Sequence, residues 1–180
     1  MVYMLLGDGF EETEAIVPLD LLRRADIPVQ TVTLDKETVF GGHSIGIKAD
    51  VHIEKASPEN VQMVILPGGL GGVKSCLSCQ RALDLLSDAW KNGAYIAAIC
   101  AGPTVLAKLG ITSGKQVTCY PGCEKDMQNA ICISNAACVA DGKVITGTSA
   151  GCATAFGLKL IEVLKGKETA EQIAKQIVIR

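Results

Sequence analysis

Cys100 ends the apolar run Tyr95-Ile96-Ala97-Ala98-Ile99 and stands just before Ala101-Gly102-Pro103. The run reads as a strand buried on both faces. Pro103 suits the first turn of a helix, where its missing N–H is not needed. A strand that turns sharply into a helix through small residues holds one side chain exposed at the turn, which is the logic of a nucleophile elbow, here with Cys in place of Ser. A thiol near a helix N-terminus is also favoured as the thiolate. Cys100 is therefore the candidate nucleophile. The competing reading is a structural cysteine, because Cys packs like a small hydrophobe.

Two more loops carry residues that could serve such a nucleophile. Gly7-Asp8-Gly9-Phe10 follows an apolar run and precedes the acids Glu11, Glu12 and Glu14. Its glycines superficially match a dinucleotide fingerprint, but the third glycine is missing and the acids would repel a pyrophosphate. Carboxylates there suit proton transfer beside Cys100, although some simply favour the positive end of a helix. The segment Leu66-Pro67-Gly68-Gly69-Leu70-Gly71-Gly72 reads as a Gly-rich loop whose N–H groups can approach a ligand closely and form an oxyanion hole. Cys76 and Cys79 have redox or metal spacing, and Cys119 and Cys123 could complete a four-thiolate zinc site. Nothing in the spacing joins those pairs, so no metal or cofactor is expected. Neither His43 nor His52 lies in a recognisable catalytic motif.

The elements that must position these residues follow from the hydrophobic pattern. Strands are predicted at Val2–Leu6, Val29–Leu34, Val61–Leu66 and Tyr95–Ile99, with a hairpin over Val39–Ile47. Short strands are predicted at Gln116–Cys119, Ile131–Ile133, Ala136–Val139 and Lys143–Thr146. Helices are predicted over Glu11–Ala25, Gln80–Asn92, Ala150–Leu164 and Glu168–Gln176, with Pro18 kinking or loosening the first. Alternating strands and helices imply a mostly parallel sheet covered on both faces, with functional loops at the carboxyl ends of the strands. The 180 residues suit one domain, 1–180. Apolar residues make up 48% and charged residues 20%, with a net charge of −2 and no basic patch, which argues against nucleic acid as a partner. No apolar stretch is long enough to span a membrane and no signal peptide is evident, so a cytoplasmic protein with mostly reduced cysteines is expected.

Taken in order, the loops resemble those of the DJ-1/ThiJ/PfpI superfamily, nearest its DJ-1 branch. The resemblance rests on Gly9-Phe10-Glu11-Glu12-Thr13-Glu14-Ala15-Ile16-Val17-Pro18-Leu19-Asp20, on Val64-Ile65-Leu66-Pro67-Gly68-Gly69 and on Ala97-Ala98-Ile99-Cys100-Ala101-Gly102-Pro103. Thr146-Gly147-Thr148-Ser149-Ala150-Gly151 adds to it, and it runs nearly the full chain. It implies a flavodoxin-like three-layer α/β sandwich and a homodimer with the first helix at the interface. It implies Cys100 as a reactive thiolate and Glu14 as a largely protonated carboxyl bonded to that sulfur. Backbone N–H groups of Gly69 and Ala101, with Gly68 beside them, would face a developing oxyanion. Tyr120, Cys119 and His43 would stand around this pair, with Cys119 near Cys100. The family often carries a His where Tyr120 stands, and its hairpin Arg is replaced around His43. Tyr, with a pKa of ~10, is no general base near neutrality unless strongly perturbed. The implied activity is a cofactor-free, glutathione-independent glyoxalase acting on a small aldehyde, methylglyoxal to lactate, or a related deglycase. The alternative is a redox-sensing or chaperone-like stress protein working through Cys100 oxidation. A cysteine peptidase is a third reading, weakened by Tyr120.

Overall fold

The computed structural model describes residues 1–179. In chain order the elements are β1 (Val2–Leu6), α1 (Glu12–Arg24), β2 (Val29–Thr33), β3 (Thr38–Phe40), β4 (Gly46–Lys48), β5 (Val51–His52), β6 (Met63–Leu66), α2 (Leu70–Ser78) and α3 (Gln80–Lys91). They continue with β7 (Tyr95–Ile99), α4 (Pro103–Lys108), β8 (Gln116–Val117), β9 (Ile131–Cys132), β10 (Cys138–Asp141), β11 (Val144–Gly147), α5 (Ala153–Lys165) and α6 (Lys167–Gln176).

The main sheet has the order β10-β11-β7-β6-β1-β2-β5. Every pairing in it is parallel except β10 with β11. Its inner strands β2-β1-β6-β7-β11 have the flavodoxin-like order, which reverses direction between β1 and β6. Side chains alternate between the faces along each strand. Tyr3, Leu5, Val64, Ile96 and Ala98 pack into one core with α2, α3 and α4, while Val2, Met4, Ile65, Ala97 and Ile99 pack into another with α1, α5 and α6. The result is three layers around a mostly parallel sheet.

The loops after β1, β6 and β7 leave the same edge of three neighbouring strands, and the first is tied to the second and to the β3–β4 hairpin. Glu11 N–H donates to the Gly68 carbonyl at 3.0 Å, and Gly42 N–H donates to the Phe10 carbonyl at 2.8 Å. Helix α2 occupies much of what the sequence reads as a Gly-rich loop. Glycine costs about 1 kcal/mol in a helix relative to Ala, so propensity hides this element. The glycines are there for close approach: a Cβ on Gly71 would lie 2.7 Å from the Gly9 Cα, and one on Gly72 would lie 2.8 Å from the Phe10 Cα. Helix α1 runs unbroken through Pro18, where a loosened turn is expected from the sequence. Pro18 faces α5, and a Cβ on Gly157 would lie 3.1 Å from its Cα. The β8–β9 pair forms a separate small parallel sheet, as the β3–β4 hairpin forms an antiparallel one.

Candidate active site

Cys100 follows β7 directly and has φ 64, a left-handed conformation that is uncommon for a residue with a side chain. The strained turn is held by backbone bonds. Cys100 N–H donates to the Gly147 carbonyl at 3.0 Å, Gly102 N–H to the Ile99 carbonyl at 2.9 Å, and Tyr120 N–H to the Cys100 carbonyl at 2.8 Å. A Cβ on Gly102 would lie 2.8 Å from the Leu66 carbonyl oxygen, so the elbow fits only with glycine there. Pro103 opens α4, as the sequence implies.

Glu14 reaches this turn from the first turn of α1, where Glu11 caps the helix by accepting from Glu14 N–H at 2.7 Å. Its side chain is fully buried, with Oε2 accepting from Gly68 N–H at 2.9 Å. Oε1 is buried and has no hydrogen-bond partner. Gly68 packs against both the carboxyl and the cysteine: a Cβ there would lie 2.5 Å from Glu14 Oε2 and 2.7 Å from the Cys100 Cβ. The Gly68 N–H is thus engaged by Glu14 and does not face an oxyanion, as its place in the loop suggests from the sequence. The N–H groups of Ala101 and Gly69 favour the charged form of the Cys100 sulfur.

Burial pushes the Glu14 carboxyl up to about 7; the nearby Cys100 thiol and the N–H groups of Gly68 and Ala150 oppose this, and the Glu11 charge adds to it. Burial also pushes the Cys100 thiol up to about 12, with the neighbouring Glu14 carboxyl adding, while the Ala101 and Gly69 N–H groups act against it. The sequence suggests a thiolate favoured by the helix end. In the fold, α4 is short and begins after Gly102, and burial beside a carboxyl outweighs it. Because the two groups face each other, a proton held by Glu14 makes the thiol easier to ionise, and they titrate as a pair.

The remaining expected residues are placed around this centre to different degrees. Tyr120 is half exposed and meets the elbow through its backbone. Cys119 is buried and lines one cavity with Cys132. His43, on the β3–β4 hairpin, binds Glu12: its N–H donates to Oε1 at 2.6 Å, and Nδ1 lies 2.9 Å from Oε2. Burial pushes Glu12 up, but the His43 bonds outweigh it and the carboxyl ends below its usual range, while Glu12 raises His43. Glu12 has no sequence signal that separates it from the solvated acids around it. Glu11, Glu12 and His43 offer metal-type donors within 4.8 Å of one another. Their oxygens already cap α1 and hold the hairpin, so the cluster reads as a structural clasp. Among the described residues, Cys76, Cys79, Cys119 and Cys123 do not converge to coordination distance.

A flavodoxin-like sheet with a strained cysteine elbow after an inner strand, and a buried glutamate against it, defines a class of α/β proteins. Residues 1–163 match the model of the DJ-1/PfpI family, and the chain belongs to that family. Protein dj-1beta of Drosophila melanogaster is 38% identical over 178 residues, covering 98% of this chain and 95% of that protein. Its crystal structure superimposes with a TM-score of 0.95 at 37% identity, covering 99% of this chain and 97% of that one. A deglycase of Pyrococcus horikoshii is 31% identical over 129 residues, covering 72% of this chain and 77% of that protein. An oxidised DJ-1 of Toxoplasma gondii superimposes with a TM-score of 0.93 at 31% identity, covering 98% of this chain and 97% of that one. No helix among the described residues is long and apolar enough to cross a membrane.

Proposed function

We propose that this chain is an enzyme converting a small dicarbonyl aldehyde, methylglyoxal or a close relative, to the hydroxy acid without glutathione, metal or cofactor. The observation that carries this reading is the Glu14 carboxyl: buried, with one oxygen unpartnered, and poised near neutrality beside a thiol on a strained elbow. An acid with a pKa near the working pH both gives and takes protons efficiently. The Cys100 proton passes to Glu14, and the sulfur adds to the aldehyde carbon. Glu14 returns the proton to the oxygen, giving a hemithioacetal. Glu14 then takes the carbon-bound proton, leaving an enediolate; the hydroxyl proton on the first carbon moves to the neighbouring oxygen, and Glu14 delivers its own proton to the neighbouring carbon, which leaves the thioester of the 2-hydroxy acid. Water hydrolyses the thioester, releasing lactate and the free thiol. The Ala101 and Gly69 N–H groups favour the sulfur anion and stand next to the carbon where an oxyanion develops. The relative named a deglycase supports the same substrate class, since amine adducts of glyoxals are aldehyde derivatives.

The test is conversion of methylglyoxal to lactate by fully reduced wild type and Cys100→Ser, without glutathione or metal. Turnover lost in the variant is the expected result. Turnover that survives the substitution, or none in the wild type, overturns the reading. A second reading, in which the protein senses oxidants through Cys100, is favoured by the same unpartnered oxygen, which would donate to an oxidised sulfur. The similarity to an oxidised DJ-1 supports it. In either reading the chain acts as one cytoplasmic domain in a homodimer with α1 at the interface, consistent with the exposed Ile16 on that helix.

A further inference from the structure

The separate β8–β9 sheet brings two cysteines together that are far apart in sequence. Val117 pairs with Cys132 in that ladder, and Ile133 N–H donates to the Val117 carbonyl at 2.7 Å. Cys119 follows Val117 by two residues, the repeat that returns a side chain to the same face of an extended chain. Cys119 and Cys132 line one cavity of about 100 Å³, together with Thr118, Glu124 and Ser134. Cys119 is buried and Cys132 is half-buried. Burial pushes the Cys119 thiol up to about 12, and the nearby Cys132 adds to this. All eight cysteines of the chain are free thiols in the structure. The aldehyde chemistry proposed for Cys100 and Glu14 uses neither member of this pair.

We propose that Cys119 and Cys132 form a redox pair that a hydroperoxide converts to a disulfide independently of Cys100. Cys132, the more accessible thiol, reacts first. Its sulfur attacks the peroxide O–O bond and becomes a sulfenic acid, and for hydrogen peroxide the other oxygen leaves as water. The buried Cys119 sulfur then attacks the Cys132 sulfur, forming the S–S bond. The displaced hydroxide leaves with the Cys119 proton as a second water. Two thiols are oxidised and one peroxide is reduced. Tyr120, the next residue after Cys119, bonds the Cys100 carbonyl at 2.8 Å, so the pair sits beside the backbone of the elbow.

The experiment treats reduced Cys100→Ser protein with limiting hydrogen peroxide, alkylates the remaining thiols and maps the digest by mass spectrometry. The expected product is a peptide joining Cys119 to Cys132 that disappears on reduction and is absent in the Cys100→Ser, Cys132→Ser double variant. Cys119 fully alkylated while Cys132 is oxidised to sulfinic acid, or Cys119 joined to Cys123, overturns the proposal. A measurement on the unsubstituted chain removes any dependence on variant folding. Phenylarsine oxide, which bridges paired thiols, should protect Cys119 and Cys132 together from alkylation, and alkylation of both at the untreated rate refutes the pairing.

Discussion

Glu14→Gln removes the titration of the buried carboxyl and keeps an oxygen for the Gly68 N–H. The wild-type carboxyl moves from an ordinary 4.5 to about 7 on folding, chiefly because burial disfavours its charge. At roughly 1.4 kcal/mol per pH unit, that difference is worth about 3 kcal/mol. The folded value is the higher one, so the native state holds a proton that the unfolded chain has already released. The stability linked to Glu14 is thus complete below pH 4.5 and falls as pH rises to about 7. Glutamine has no proton to lose, so the difference in stability between variant and wild type shifts towards the variant by about 3 kcal/mol across this window and then levels off. Urea unfolding of both proteins at several pH values between 4 and 8 measures it, with the midpoints and slopes giving the free energies. Carrying out the comparison on a Cys100→Ser background removes the second titrating group. A stability difference that stays flat with pH would refute the argument that burial sets the state of this carboxyl.

Gly69 has φ 87, and a Cβ there would lie 2.5 Å from both Glu11 N and the Gly9 carbonyl oxygen. Gly69→Ala should therefore cost at least about 2 kcal/mol, from the left-handed backbone and the clash together. Gly110, with φ 73 and nothing within 4 Å of its would-be Cβ, is the control, and Gly110→Ala should cost only about 1 kcal/mol. Equal urea midpoints for the two would show that the loops around the site give way freely. His43→Ala takes the ring away from the buried Glu12. Glu12 is lowered in the fold, so its contribution is present above 4.5 and lost as pH falls through its folded value; His43 is raised, so its contribution is present below 6.5 and lost as pH rises through its own. Thermal melting of the variant should fall furthest below wild type between pH 4.5 and 6.5, with the gap narrowing on both sides.

The elements that carry the site were legible from residue pattern alone because they are locally determined. Tyr95–Ile99 is apolar throughout since β7 is buried on both faces, and Pro103 marks the start of α4. The order of the three loops along the chain carries the resemblance to the DJ-1/PfpI family by itself. Helix α2 was not legible, because Gly71 and Gly72 argue against a helix unless one knows that the Gly9–Phe10 backbone lies across them.

The assignment of donors and protons was decided by the tertiary structure. Glu11, Glu12 and Glu14 are alike as residues in one helical turn. The fold makes the first a cap, binds the second to His43 and buries the third against Cys100 with one oxygen unpartnered. Likewise it gives the Gly68 N–H to Glu14 and sets Cys119 against Cys132, partners that come from distant segments. The sequence determined which chemical groups are present and the strands and turns that carry them, since those follow from periodicity and backbone preference. Which group is desolvated, and which donor is already taken, depends on segments far apart in the chain, and those terms set the charge of a buried carboxyl and thiol.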